Sequence, residues 1–210
     1  MRKTLFCVLM ITVLLTACGG RGNSKSAEQQ ALEIRMEYLS RPGCYGTAEV
    51  SVDYGRRVYQ FTLQFEQNGE GRTVLTVLAP EELAGLTAVV ETGESRLEYQ
   101  GLSLGTGDLT GEGLTPLEFL PTVMEQVREG YMAECVFETL GETECVRIVF
   151  REPDASPQTG LECHLWLERE SGGMVRTELF WDGTLVLSSD FTSFTIGEKT
   201  DGSEANEDLG

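Results

Sequence analysis

Tyr59, Phe61, Leu63 and Phe65 alternate with Gln60, Thr62, Gln64 and Glu66, and this period of two constrains the fold more than any other feature. Neighbouring residues on a strand point to opposite faces, so the run is a strand with one apolar and one polar side. Such a strand needs antiparallel partners and a cover over its apolar side. Val50, Val52 and Tyr54 alternate in the same way just before it, across a turn at Gly55. After Asn68-Gly69 comes Thr73–Ala79, apolar on both faces, then shorter strands at 86–91, 96–100 and 102–104. Further strands are expected at 132–139, 143–151, 161–168, 175–181 and 184–194. Asp182-Gly183 between the last two is a type I′ hairpin signal.

Links this short join antiparallel strands. The count is about ten or eleven, and a sheet that long curls or closes. Two helices are available to cover it. Residues 27–39 carry Leu32, Met36 and Leu39 at helical spacing, which predicts one apolar stripe. Thr115-Pro116-Leu117-Glu118 is a helix start, with Thr as N-cap and Pro at the first helical position. Leu117, Leu120, Met124 and Val127 follow as its stripe, and Pro121 within it predicts a kink or a break. The expected class is therefore mainly β with two helices (α+β), a curved antiparallel incomplete barrel covered by helices.

The amino terminus is a different kind of segment. Arg2 and Lys3 precede an apolar run that ends in Leu15-Thr16-Ala17-Cys18. A basic start, a short apolar stretch and small residues before a cut site make a secretory signal peptide. The run is well short of the ~20 residues a bilayer span requires. Residues 1–17 are thus read as signal peptide and 18–26, rich in Gly and Ser, as Cys18 plus a flexible tether. Residues 27–197 form the domain, and 198–210 are an acidic tail with nothing to bury, expected to be disordered.

Removal of the signal peptide leaves 14 basic against 34 acidic residues, a net charge of −20. A surface this negative argues against nucleic acid as a partner. It also repels anionic headgroups, so attachment to a membrane must come from acyl chains. Cys44, Cys135, Cys145 and Cys163 remain in the domain and allow three pairings. Cys135 and Cys145 flank a hairpin turn and could face each other across it. A domain of this length does not need staples, and buried free thiols pack as small hydrophobes.

Leu15-Thr16-Ala17-Cys18 resembles the lipobox of bacterial lipoproteins. That resemblance implies a diacylglycerol on Cys18, cleavage before it, and anchoring to the outer face of the cytoplasmic membrane. Leu165-Trp166-Leu167, Ser171-Gly172-Gly173, Arg176-Thr177-Glu178-Leu179-Phe180 and Asp182-Gly183 resemble a strand–turn–strand segment of the LolA-like family. Thr76-Val77-Leu78-Ala79-Pro80 leading to Gly85 resembles its strand-to-proline segment. Glu168 departs from the expected Asp, and Met174 from the usual proline. The resemblance implies a half-barrel whose concave apolar face binds a lipid or other hydrophobic ligand. Candidate lining residues are Val52, Tyr59, Phe61, Leu63, Leu75, Val77, Leu165, Leu179 and Leu187. The same residues would also serve as plain core. A nearer branch, the germination-type lipoproteins of spore formers, implies instead a scaffold that binds a protein partner such as a cell-wall amidase.

Catalytic and metal-binding sets are not expected. The single histidine, His164, adjoins Cys163 on a strand, so the two side chains diverge. Cys135, Cys145 and Cys163 lack a fourth zinc ligand. Gly105-Thr106-Gly107-Asp108 begins a glycine-rich loop with no Gly-Lys-Ser/Thr after it, and its carboxylates would repel a phosphate. The carboxylates are scattered over polar faces. A hydrolase using one of them is the competing enzyme class; no cofactor is implied.

Overall fold

The computed structural model describes residues 25–91, 94–107 and 119–199. The signal peptide, Cys18, the helix start at 115–118, the loop at 108–113 and the tail beyond Lys199 lie outside the described residues.

Eleven antiparallel strands form one curved sheet, open between its two edges, with two helices against it. In chain order these are α1 (Ala27–Ser40), β1 (Cys44–Asp53), β2 (Val58–Gln67), β3 (Thr73–Ala79), β4 (Thr87–Glu91), β5 (Glu94–Tyr99) and β6 (Leu102–Gly107). Then follow α2 (Phe119–Glu129), β7 (Met132–Leu140), β8 (Thr143–Phe150), β9 (Leu161–Glu168), β10 (Met174–Trp181) and β11 (Thr184–Ile196). The spatial order β6-β5-β4-β3-β2-β1-β11-β10-β9-β8-β7 is two meanders joined at the first and last strands. The edges β6 and β7 are consecutive strands in sequence, with α2 between them in chain order. Residues 105–107, expected as loop, extend β6 instead.

The hairpins explain the register. β1 and β2 pair from Cys44↔Gln67 to Asp53↔Val58, placing Val50, Ala48 and Gly46 opposite Phe61, Leu63 and Phe65. At the β10–β11 turn Asp182 and Gly183 both hold positive φ, at 46° and 73°, as a type I′ turn requires. β11 carries a bulge opposite Thr47/Ala48, so Thr192 is extra. A bulge resets the alternation. Phe191 and Phe194, three residues apart, consequently both reach the Phe65 ring, each at 5.7 Å between centroids. Gly46 faces this cluster because a Cβ there would strike the Ser193 carbonyl and approach Phe65 to 2.8 Å.

α1 begins with a capping box, in which Ser26 and Gln29 exchange side-chain and backbone bonds. Its buried residues are Ala27, Ala31, Ile34 and Tyr38. The predicted stripe faces away: Leu32, Met36 and Leu39 are 53%, 62% and 49% exposed. Two stripes with i, i+3/i+4 spacing coexist on this helix, and the one with small Ala31 allows close approach to the sheet. The Tyr38 hydroxyl donates to the Gly172 carbonyl at 2.9 Å in the β9–β10 turn.

α2 buries Phe119, Leu120, Val123, Met124 and Val127. Pro121 does not break it. The helix runs unbroken through the proline from Phe119 to Glu129. Arg35 of α1 donates to the carbonyls of Val127 (2.7 Å) and Gly130 (2.6 Å), tying the two helices together. Met124 Sδ lies 3.8 Å from the Cys44 thiol on β1, which places α2 over the middle of the sheet.

The hairpin thiols do not face each other. Cys135 pairs with Ile148 and Cys145 with Glu138, so they occupy opposite faces of the β7–β8 ladder. The offset of three residues between Cys135 and Glu138 is odd, and an odd offset reverses the face. All four described cysteines are free thiols.

Candidate functional site

Side chains directly opposite on neighbouring strands share a face, so the register gives the concave surface row by row. One row runs Gly46–Phe65–Leu75–Ala88–Leu97–Leu104 across β1 to β6. The next runs Ala48–Leu63–Val77, continues past the Val77–Leu86 backbone bond, and ends at Tyr99–Leu102. Both rows are apolar throughout, but their cover is not uniform. Phe65, Leu75 and Ala88 are at most 3% exposed, Leu97 is half-buried, and Leu104 is 66% exposed. Leu63 and Val77 are buried, Leu86 is half-buried, Tyr99 is 37% exposed and Leu102 77%. The centre of the concave face is core, in one cluster with Phe119, Leu120, Val123, Met124 and Val127 of α2. Its far edge, a wing with Tyr99 on β5 and Leu102 and Leu104 on β6, is an exposed apolar surface.

Seven of the nine candidate lining residues lie in the packed centre. Val52, Leu63, Leu75, Val77, Leu165, Leu179 and Leu187 are each at most 7% exposed and belong to one cluster with Ile34, Phe119 and Met124. Phe61 is half-buried at the margin of that cluster, and Tyr59 is 42% exposed. The wing residues Leu97, Tyr99, Leu102 and Leu104 were not among the candidates. Their signal was the short alternating runs at 96–100 and 102–104, which does not distinguish covered from open.

Tyr59 and Phe61 mark a second opening, at the tip of the β1–β2 hairpin. An open pocket of about 520 Å³ there is lined by Tyr54, Arg56, Arg57, Tyr59 and Phe61. The Tyr54 N–H donates to the Arg57 carbonyl at 3.1 Å, and Gly55 takes a positive φ of 76° to make the turn. The Tyr54 and Tyr59 rings meet edge to face at 5.8 Å.

The convex face carries the polar groups. Cys163 pairs with Leu179 on the inner side, whereas His164 pairs with Glu178 on the outer side, so the thiol and imidazole diverge. His164 packs 4.6 Å from the Phe180 ring and 6.4 Å from Trp166. Glu162 is buried beside it. Burial pushes the Glu162 carboxyl up, but the Gln158 amide at 2.9 Å, Arg151 at 3.4 Å and His164 at 3.5 Å hold it below the usual value. This charge-paired cluster ties the 151–160 loop to β9. Among the described residues no three His, Cys, Asp or Glu side chains converge as a metal site, and no helix is long and apolar enough to cross a membrane.

No family model matches the chain. No curated protein matches it either. Its fold is similar to several solved structures. An uncharacterized conserved protein from Thermus thermophilus aligns over 83% of this chain and 90% of its own, at 12% identity and a TM-score of 0.49. A LolA superfamily protein from Nitrosomonas europaea aligns over 85% and 96%, at 8% identity and a TM-score of 0.42. The Mycobacterium tuberculosis lipoprotein LppX aligns over 83% and 96%, at 10% identity and a TM-score of 0.45.

Proposed function

We propose that the protein is an exported, non-enzymatic envelope lipoprotein, held on the outer face of the cytoplasmic membrane by acylated Cys18. Its uncovered inner wing would hold a lipid or other hydrophobic ligand. The observation that carries this reading is the exposure of Tyr99, Leu102 and Leu104 in the same rows as the core residues Leu75 and Leu63. A contiguous apolar surface left open on a concave face is the usual character of a small-molecule site. The anchor rests on the lipobox sequence, and α1 begins nine residues after Cys18.

Native mass spectrometry of the purified protein, with organic extraction of whatever accompanies it, tests the ligand. Co-purified lipid, or uptake of added long-chain alcohol, is expected; failure to bind either overturns the reading. A Cys18→Ser variant recovered in the soluble fraction would support the anchor, and one that stays with membranes would refute it.

A second reading, a scaffold for a protein partner such as a cell-wall amidase, is favoured by the exposed Leu32, Met36 and Leu39 face of α1. Under that reading Met36→Lys abolishes amidase capture and leaves lipid binding intact.

A further inference from the structure

The tip of the β1–β2 hairpin combines two features that are rare in so acidic a chain: adjacent cations and a cluster of exposed aromatic rings. Arg72, Arg96, Arg147, Arg169 and Arg176 each hold a carboxylate at between 2.7 and 3.0 Å. Arg56 and Arg57 hold none among the described residues, although the chain carries 34 carboxylates. The adjoining acid, Asp53, is engaged within the turn, where it accepts from the Gly55 amide at 2.7 Å. Two solvated guanidinium groups therefore stand free at the mouth of a pocket of about 520 Å³ whose other walls are Tyr54, Tyr59 and Phe61.

The position of this pocket on the sheet gives it a direction. Tyr59 and Phe61 lie opposite Val52 and Val50, both core residues, so they belong to the concave side. Phe61 stands one row from Leu63, whose row continues through Val77 and Leu86 to the open Tyr99 and Leu102. Charge thus sits beside the opening at the hairpin tip, which packed Leu63 and Val77 separate from the exposed edge of β5 and β6. Guanidinium groups favour carboxylate and phosphate because their forked N–H donors match those oxygens in pairs. The net charge of the protein repels anions at long range, but that field is screened beyond about 8 Å at physiological salt.

We propose that the concave face selects an anionic amphiphile. Arg56 and Arg57 bind its carboxylate or phosphate head, and its acyl chain lies along Tyr54, Tyr59 and Phe61. This rests on the hydrophobic-ligand reading above and adds the charge of the head.

Titration calorimetry with three probes tests it: oleate, oleyl alcohol and inorganic phosphate, each on the wild type and on Arg56→Gln/Arg57→Gln. Both arginines are exposed at a turn, so the double variant keeps the fold, and retained oleyl alcohol binding checks this. Oleate is expected to bind the wild type more tightly than oleyl alcohol. The double variant should lose that advantage, about fivefold, the size set by two solvent-exposed charge contacts. Added salt should weaken oleate and spare the alcohol. If oleate and oleyl alcohol bind equally, or the double variant leaves oleate unchanged, the head-group assignment falls while the hydrophobic-ligand reading stands. If phosphate competes with oleate at equal concentration, the site is a plain anion site and the amphiphile is refuted. If neither long-chain probe binds, both readings fail together.

Discussion

Leu75 and Leu104 lie on one row of the concave face, linked through Ala88 and Leu97, yet Leu75 is 1% exposed and Leu104 66%. The same side chain on the same face does two jobs, set by whether it packs into the central cluster.

Leu75→Ala should destabilise the fold by about 2–5 kcal/mol, because it leaves a cavity in the central cluster. Leu104→Ala should change stability by no more than ~0.5 kcal/mol, since the leucine is already wet. Urea unfolding measures both. Binding of a hydrophobic fluorescent dye should fall in Leu104→Ala; dye binding unaltered there would remove the wing from the site.

Arg35 stands between the helices, with the Val127 carbonyl of α2 at 2.7 Å, that of Gly130 just past its end at 2.6 Å, and the Phe150 ring 5.7 Å away. It satisfies carbonyls that a helix C-terminus leaves without partners, and its charge suits that end of the dipole. Arg35→Met keeps the stem and removes the donors, which should cost about 1.5–3 kcal/mol. Amide exchange at 123–130 should quicken in proportion. Arg35→Lys should recover only part, because an ammonium lacks the planar fork.

Cys163 and Cys44 are buried, and burial pushes both thiols up to about 12, against the opposing charge of Arg128 at Cys44. The Tyr38 phenol is raised for the same reason. A group whose native pKa exceeds its unfolded value stabilises fully below the unfolded pKa and loses that contribution above it. Stability should therefore be intact below about pH 9 and decline as pH rises toward 12. In alkylation at pH 8 followed by peptide mapping, half-buried Cys135 should be modified while Cys44 and Cys163 remain free until denaturant is added. Equal labelling of all three in the native protein would contradict the buried placement.

Much of this architecture was legible along the chain. The β1–β2 alternation, the Asp182-Gly183 turn and the strand sequence from 132 to 194 follow from local stereochemistry, which needs only neighbours in sequence. α1 shows where that stops. Its extent was readable from spacing, but its buried face was not. Leu32-Met36-Leu39 and Ala31-Ile34-Tyr38 are both valid helical stripes, and the sheet chose the one whose small residue permits approach. The Thr192 bulge was likewise invisible, since alternation in sequence does not announce where it resets.

The primary structure alone determined an antiparallel ribbon with one greasy side, because side-chain alternation and turn chemistry are properties of adjacent residues. Which stretch of that side became core and which remained an open surface was settled only in three dimensions. Leu75 and Leu104 are chemically identical, and what separates them is that Leu75 packs into the cluster that gathers residues of α1, α2 and the central strands, distant from one another in the chain.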